Sequence, residues 1–353
     1  MAKKVEVTHF ICPSCGGSLF AVPGALRCRH CGYERERGTQ KIEPPLEPLR
    51  QVEANREEKI FECPNCGAKT RSDSVSLLCS YCSTPLVGEF FDPLLPKGVG
   101  TIWVDPKKVT RLVKAHIRSL WFAPNAFMRS FQKAKEPKAV YYPVWSFDAK
   151  VVVRYSGWRG VRRTRMVYMG GRSQMRTTME WQPVSGILDL HIQDIQQLGY
   201  EPFDPLIVRM RWDRSRLESV QKEALSGWEA KEYSISVLEA RKRAQKGFDR
   251  VIESAIRRDI GGDAQRIGSF ESEYFWQKFL YFLAPFYHIQ LYWRKRRYDY
   301  FVNAQNGEVV GERPYSWIKI ALFVLFILAG VAALYFLDQW LQTHHHISFG
   351  DLL

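Results

Sequence analysis

Eight cysteines, all within the first 82 residues, constrain this chain more than any other feature of its sequence. They form two groups with the same Cys-x2-Cys-x12-Cys-x2-Cys spacing. The first group is Cys12, Cys15, Cys28 and Cys31, and the second is Cys63, Cys66, Cys79 and Cys82. Each cysteine of the second group lies 51 positions after its counterpart in the first, which indicates an internal duplication.

The spacing within each group is typical of a structural zinc site. Each Cys-x2-Cys pair predicts a tight turn that directs two thiolates at one metal ion, and Gly16, Gly32 and Gly67 ease such turns by allowing positive φ. Two turns supply the four sulfurs of a closed tetrahedral site, which has no open position for catalysis. The sequence therefore predicts two zinc ions, each supplying on the order of 10 kcal/mol of folding free energy.

Other roles fit the cysteines less well. Pairs two residues apart, in a chain of this length, favour metal binding in a reducing compartment over disulfides. A thioredoxin-like redox pair would require a βαβ context that this region lacks. Iron in a four-cysteine site uses the same ligands and remains open. His9 and His30 lie beside the cysteines, but four thiolates leave no need for them as ligands.

The other end of the chain holds a long apolar stretch, IKIALFVLFILAGVAALYFL, at residues 318–337. As a helix it would span about 30 Å, the thickness of a bilayer core. Trp317 and Trp340 flank it as interfacial residues do, and Lys319 can extend its ammonium group towards the headgroups. The sequence predicts one transmembrane helix, with a buried core helix as the alternative.

Charge sets the expected orientation. No Lys or Arg follows Lys319, whereas Arg313 precedes the span. The positive-inside rule predicts a single-pass, tail-anchored protein of the cytoplasmic (inner) membrane, with its N-terminal part in the cytoplasm and a short extracytoplasmic tail at 338–353. The opening MAKKVEVTHF has no apolar signal region. His344, His345 and His346 are interpreted as solvated tail residues rather than metal ligands.

Between these two ends the sequence divides into segments. Residues 10–34 and 61–88 are the predicted zinc ribbons, and the charged, proline-rich residues 35–60 are typical of a semi-extended linker. Strand-like and helical stretches alternate over 100–312, which predicts a mixed α+β cytoplasmic domain rich in antiparallel strands. The overall fold class expected is α+β, with Asn306-Gly307 marking a hairpin turn.

Two helices are predicted within 100–312. The first begins at Asp105-Pro106 and has a basic face that either faces water or contacts an anionic membrane or phosphate. The second begins with a capping box at Ser236 and Glu239 and ends at Gly261-Gly262. Its expected apolar stripe comprises Ala244, Phe248, Val251, Ile252, Ala255 and Ile256.

Residues 139–157 are strand-like, and the strand character continues through MVYM and TTMEW. This stretch is strongly basic, in a chain whose net charge is +14. No acidic residue occurs between Asp148 and Glu180. Arginines interleaved with Tyr155, Trp158 and Tyr168 suit single-stranded nucleic acid or anionic lipid headgroups, and a solvated hairpin is the alternative. The candidate anion-binding residues are Arg154, Arg159, Arg162, Arg163, Arg165, Arg172 and Arg176.

Catalytic motifs are missing from the sequence. It has no phosphate-binding loop, no H-E-x-x-H and no G-x-S-x-G, and it has no cysteine outside the two groups. Asp259 and Asp263 flank the Gly261-Gly262 turn and could do acid–base work, but turn formation is the simpler interpretation. We therefore predict no catalytic residues and a non-enzymatic protein.

Several segments together resemble a family of bacterial membrane-anchored double zinc-ribbon proteins. Besides the cysteine groups, they are LWFAPNAF (120–127), YYPVWSFDA (141–149), PVSG (183–186), RDIGGDAQRI (258–267) and NAQNGEVVGERPYSWIKI (303–320). Members are often labelled primosomal-helicase-like or transcription-factor-IIB-type zinc-ribbon proteins, and the missing phosphate loop here argues against the helicase label. The resemblance implies membrane association and, in some bacteria, a link to phage-shock-type membrane-stress proteins.

These observations predict a tail-anchored membrane adaptor whose zinc ribbons recruit a cytosolic protein partner. The alternative is a membrane-tethered nucleic-acid-binding protein that uses the arginine-rich strands and the ribbons.

Overall fold

The computed structural model of the chain describes residues 3–53, 58–90, 93–128, 137–169 and 172–345, without the side chains of Met169, Arg172, Gln174 and residues 341–345. Its strands are β1 (Lys3–Lys4), β2 (Leu19–Val22), β3 (Ala25–Cys28), β4 (Glu34–Glu36), β5 (Lys41–Ile42), β6 (Glu47–Pro48), β7 (Lys59–Glu62), β8 (Lys69–Ser72), β9 (Ser74–Leu78), β10 (Pro85–Val87), β11 (Val99–Gly100), β12 (Lys138–Met169), β13 (Arg172–Leu198), β14 (Leu217–Glu218), β15 (Glu229–Lys231), β16 (Ala264–Trp293), β17 (Arg296–Asn303) and β18 (Val309–Gly311). Its α-helices are α1 (Pro106–Ser119), α2 (Lys222–Leu225), α3 (Val237–Ile260) and α4 (Trp317–His345).

Most strands of the described chain join one large mixed sheet, and β12 is its centre. One edge of β12 pairs antiparallel with β16, and the other pairs antiparallel with β13 and parallel with β15. Outer strands extend the sheet on both sides, and β1-β7-β8 and β2-β3-β4 form two smaller sheets. The expected sheet-rich domain with few helices is therefore present.

Helices α1 and α3 confirm the capping signals read from the sequence. Asp105 caps α1 by accepting the backbone N–H of Lys107, and Val109, Val113 and Ile117 are buried. Ser236 caps α3 by accepting the backbone N–H of Glu239, and Gly261 ends that helix at φ 65°. The core face of α3 was partly mispredicted, because Val251 is 40% exposed. The buried residues of α3 include Ala244, Phe248, Ile252, Ile256 and Ile260.

The segment between the two cysteine groups is pinned to the sheet rather than extended freely into solvent. Strand β5 pairs with β14, and β6 pairs with β16. Arg37 is buried and lies 3.4 Å from the Glu218 carboxylate. The backbone N–H of Leu49 donates to the Gln277 carbonyl at 2.9 Å. Proline and charge suggested a loose connection, but these cross-chain bonds hold the described part of 35–60 in place.

Helix α4 contains the apolar stretch predicted from the sequence. Residues Trp317–Trp340 have a mean hydropathy of 2.8 and are long and apolar enough to span a membrane, and none of these residues is buried in the protein. This exposure argues against the alternative of a core helix. The helix continues to His345, beyond the predicted boundary at 337, and residues 346–353 lie outside the described residues.

Candidate metal centres and the basic hairpin

The four cysteines of each group converge on one point. Within each group, the Sγ atoms all lie within 4.8 Å of one another. In the first group, Cys12 and Cys31 are 3.6 Å apart, as are Cys15 and Cys28. A tetrahedral zinc ion with Zn–S bonds of about 2.3 Å requires sulfurs about 3.8 Å apart.

The second group has the same geometry. Its Cys63 and Cys82 sulfurs are 3.5 Å apart, and its Cys66 and Cys79 sulfurs are 3.7 Å apart. The donor set and these separations fit a metal ion and are consistent with zinc. Neither His9 nor His30 belongs to these four-sulfur clusters, and His9 instead lies 3.0 Å from the Ser18 hydroxyl.

Each Cys-x2-Cys turn is closed by a backbone hydrogen bond and a residue of positive φ. The N–H of Gly16 donates to the Cys12 carbonyl at 2.9 Å, and Gly67 makes the equivalent bond to Cys63 at 2.8 Å. The fourth turn has Ser83 where the others have glycine, and Ser83 adopts φ 60°. The turn, closed by the bond from the Ser83 N–H to the Cys79 carbonyl at 2.9 Å, therefore imposes on Ser83 a conformation that glycine adopts without steric cost.

In each group one thiol has a lowered pKa and another a raised one. The backbone hydrogen bonds of Gly17 and Ala68 lower the pKa of Cys15 and Cys66, but hydrogen bonds with the neighbouring cysteines and burial outweigh them and raise it to about 12. A hydrogen bond from the Cys31 backbone N–H to the Cys28 sulfur lowers the pKa of Cys28 to about 6. In the second group, the Thr84 hydroxyl lies 3.1 Å from Cys82 and lowers the pKa of that thiol to about 6. Deprotonation near neutral pH makes these sulfurs ready ligands.

The strand pairing supports the duplication. Strand β3 pairs with β4 so that Leu26 lies opposite Arg35. Strand β9 pairs with β10 so that Leu77 lies opposite Leu86, and both positions are shifted by the same 51 residues. The two copies differ in how they continue, since β9 also pairs with β15 of the main sheet. We call residues 10–34 and 61–88 the first and second cysteine modules.

Trp228 joins the two modules to the main sheet. It is buried, its indole N–H donates to the Ala21 carbonyl of the first module at 3.1 Å, and its carbonyl accepts the Ser76 hydroxyl of the second at 2.7 Å. Lys59, which lies just before the second module, and Glu232, which follows β15, add a buried ion pair. The modules are therefore fixed with respect to each other. Sequence reasoning missed Trp228, because nothing local distinguishes it from other aromatic core residues.

The arginine-rich stretch lies on the hairpin formed by β12 and β13. The pairing of β12 with β16 ends at Gly160 and Ala264, whereas β12 and β13 continue to pair as far as Met169 and Arg172. Residues 161–169 and 172–180 thus form a two-stranded projection, which we call the hairpin tip. At about 3.3 Å per residue it extends about 30 Å beyond the rest of the sheet.

The hairpin divides the predicted anion-binding arginines among different surroundings. Arg154 lies 3.5 Å from Glu273, and Arg159 donates through Nε to the Ile260 carbonyl at the end of α3. Glu180 pairs with both Arg163 and Arg165, at 3.3 and 3.1 Å. These residues therefore do not form one continuous cationic surface. Arg162 and Arg176 are exposed near the tip, and the Arg172 side chain lies outside the described residues.

Alternation along the tip separates two faces. Residues directly opposite each other in an antiparallel pair share a face, so Met166 lies beside Met175, and Tyr168 follows Met166 on that face. Met166, Tyr168 and Met175 are 73%, 79% and 78% exposed. Arg163, Arg165 and Arg176 lie on the other face. The sequence signal for this apolar face was the placement of Thr164, Met166 and Tyr168 at every second position of RTRMVYM, which the adjacent arginines and Val167 obscured.

Asp259 and Asp263 attach the end of α3 to the hairpin. Tyr155 donates its hydroxyl to the Asp259 carboxylate, and the backbone N–H of Arg162 donates to Asp263 at 2.7 Å. Both carboxylates are thus used in holding β12, in keeping with the interpretation of these residues as part of a turn.

In comparisons with known proteins, no family model, curated protein or solved structure matches this chain.

Proposed function

We propose that the protein is a non-enzymatic adaptor of the cytoplasmic membrane that recruits a cytosolic protein. Helix α4 is the proposed anchor, the cysteine modules are proposed to be zinc ribbons, and the hairpin tip is the proposed main docking surface. Membrane stress, which the family resemblance implies, is the proposed setting. The observation that carries this proposal is the separation of anchor and hairpin tip along the sheet.

That separation follows from the packing at the two ends of β12. Near its beginning, Lys138 pairs with His288 of β16, and that strand ends at Trp293. The Trp293 ring contacts Phe127 at 5.6 Å, and the neighbouring Phe122 carbonyl accepts the backbone N–H of Ser316 just before α4. From there β12 runs for 32 residues, about 100 Å of extended chain, to the tip.

The exposed side chains of the tip favour a protein partner. A two-stranded ribbon is marginally stable alone, so solvent exposure of Met166, Tyr168 and Met175 is unfavourable unless a partner covers them. Methionine and tyrosine suit adaptable protein interfaces. The arginines on the opposite face favour a partner that also carries acidic residues.

The ribbons have a supporting part in this proposal. Their pinning to Trp228 makes them a rigid extension of the sheet rather than modules on a flexible tether. Each exposes a large apolar side chain next to its cysteines, Ile11 at 60% and Tyr81 at 77%. These residues are the proposed contacts of the ribbons with the recruited protein.

The test is affinity purification of the full chain from solubilised membranes. The double substitution Met166→Asp and Met175→Asp places charge on the apolar face of the tip and should abolish retention of the cytosolic partner. Ile187→Asp is the matched control, because Ile187 is 68% exposed on the same sheet outside the tip. Tyr81→Asp tests the second ribbon. If every variant retains the same cytosolic proteins, neither surface recruits them.

Nucleic-acid binding is the second candidate, because a two-stranded β-ribbon of this width fits the major groove of DNA. The exposed guanidinium groups of Arg162 and Arg176 would contact phosphates. Replacing Arg162, Arg163 and Arg165 by Gln should then weaken binding of duplex and single-stranded DNA and flatten its salt dependence. Glu180→Gln should steepen that dependence, because it releases Arg163 and Arg165 from their shared carboxylate. No binding at low salt would exclude this function.

A further inference from the structure

A large apolar groove lies where the folded domain meets the proposed membrane anchor. It has a volume of about 860 Å³, within the usual range for small-molecule and lipid sites. Leu120, Trp121 and Met128 form one wall, and Leu322, Phe323 and Phe326 of α4 form the other. The groove therefore combines the segment after α1 with the first turns of the apolar helix.

The helix wall places part of this groove at the depth of lipid acyl chains. Leu322 and Phe326 lie five and nine residues after Trp317. With Trp317 at the membrane interface, a rise of about 1.5 Å per residue places them about 8 and 14 Å along the helix into the hydrocarbon region. Water solvates such an apolar groove poorly. The hydrocarbon region of a bilayer consists of acyl chains, so an acyl chain is the component that would fill the groove.

The rim of the groove carries one available cation. Arg118, in the last turn of α1, lines the groove and is exposed, and no carboxylate of the described residues lies in ion-pair range of it. Lys319 also lines the groove, but its ammonium group is already bound. It donates to the carbonyls of Trp121 at 3.2 Å and Ala123 at 2.8 Å and to Asn125 Oδ1 at 2.9 Å.

The surroundings of Arg118 add positive charge. Lys107, Lys108 and Arg111 are exposed along the same helix, whose opposite face is buried. Cations near a membrane surface attract anionic lipids. The groove thus pairs an apolar floor at acyl-chain depth with a cationic rim at headgroup depth, which is the chemistry of an anionic phospholipid.

We propose that this groove binds one anionic glycerophospholipid, with an acyl chain against Phe323 and Phe326 and its phosphate paired with Arg118. The proposal rests on α4 being a membrane anchor. A lipid in this position would connect the domain to the bilayer and hold the hairpin at a defined angle to the membrane surface.

The experiment measures lipid retained by the full chain in mild detergent. The protein is incubated with vesicles containing equal parts phosphatidylcholine and phosphatidylglycerol, repurified, and its bound lipid is quantified by mass spectrometry. The natural chain should retain phosphatidylglycerol preferentially. Arg118→Glu should lower that retention at least about tenfold. Arg250→Glu, the same charge reversal at an exposed position of α3 outside the groove, should leave it unchanged.

Two further arms test the groove itself. Met128→Trp fills the groove and should lower phosphatidylglycerol retention while Arg118 is intact. Glycerol phosphate, which has the headgroup charge without acyl chains, should not compete. Retention of the two lipids in their bulk ratio, equal loss in the Arg118 and Arg250 variants, or competition by glycerol phosphate would overturn the proposal.

Failure of the anchor is recognised separately. Membranes containing the natural chain and the Arg118→Glu variant are washed with alkaline carbonate, which releases proteins that are not embedded. If both chains remain in the membrane and the variant loses only lipid selectivity, the lipid site and the anchor both stand. If the natural chain is released, the anchor itself is wrong, whatever lipid is retained in detergent.

Discussion

Asp105 binds Arg27 of the first cysteine module with one carboxylate oxygen and caps helix α1 with the other. Its Oδ2 lies 2.8 Å from Arg27 Nη1, and its Oδ1 accepts the backbone N–H of Lys107 at 2.8 Å. One side chain therefore connects the first cysteine module to the helix whose far end lines the groove beside α4. Movement of the module is coupled to the orientation of that helix.

Separating the two roles of Asp105 is the first prediction. Asp105→Asn keeps a good cap but loses the ion pair, whereas Asp105→Ala loses both. We expect Asp105→Ala to cost about 1 kcal/mol more than Asp105→Asn in the free energy of unfolding. Denaturant titration of the detergent-solubilised chain measures the difference. Equal costs would show that the cap contributes nothing. Arg27→Ala keeps the cap and removes the ion pair, and Glu34→Ala is its control because Arg27 also pairs with Glu34.

Acid should weaken the attachment of both modules. Burial raises the pKa of Asp105 and of Asp73, but Arg27 and Lys231 outweigh it, so both folded carboxyls have a pKa below the usual range. A lowered folded pKa gives stability that is present above the unfolded pKa, about 3.9, and lost as pH falls through the folded value. The midpoint temperature of thermal unfolding should therefore fall as the pH is lowered below about 4. In Asp73→Asn the fall in unfolding temperature should be smaller. The same pH dependence in the natural chain and in Asp73→Asn would show that the Asp73 carboxylate does not contribute to it.

Metal content is the third prediction. The natural chain should contain two zinc ions, and Cys15→Ser should contain one, because three sulfurs no longer close the first site. Loss of a structural zinc removes on the order of 10 kcal/mol of metal-linked folding energy, so the first module should become protease-sensitive. Elemental analysis measures the metal and distinguishes zinc from iron. His30→Ala is the control and should keep both ions, and a loss of metal there would make His30 a ligand.

The fourth prediction concerns Ser83, which occupies the position of a glycine. Its φ of 60° costs roughly 1 kcal/mol for a residue with a Cβ atom. Ser83→Gly should therefore stabilise the second module by up to about 1 kcal/mol, and Gly67→Ser should destabilise it by a similar amount. Chelator-induced unfolding, followed as the zinc release rate, reports both. The two substitutions should change the zinc release rate in opposite directions. A slower release in Gly67→Ser would show that positive φ at this position has no steric cost.

Lys319 provides the fifth prediction. Its ammonium group holds the segment 121–125 against the start of α4 through three oxygens rather than extending to lipid. Lys319→Met should leave membrane insertion intact, because the helix becomes more apolar, but should release that segment. Amide hydrogen exchange over 121–125 should accelerate at least about fivefold, the equivalent of losing about 1 kcal/mol. Lys108→Met, an exposed position on α1, should not change it.

Local signals in the sequence were sufficient for the elements whose stability is local. The cysteine spacing identified both four-sulfur sites because two-residue turns bring the ligands together whatever surrounds them. Asp105, Ser236 and Gly261 marked the helix ends because caps satisfy backbone groups within a few residues. The apolar run of α4 was visible because its length alone sets its span.

The tertiary structure decided everything that depends on distant partners. The linker looked loose because its anchoring bonds go to Glu218 and Gln277, far away in the sequence. The arginines looked like one patch because the sequence does not show which face of a paired strand each occupies, and Glu180 neutralises two of them. The groove beside α4 exists because Lys319, Ser316 and the Phe323 ring hold 121–125 against the helix. Such contacts depend on strand register and on side chains that meet across the fold, and neither has a local signature that composition or spacing records.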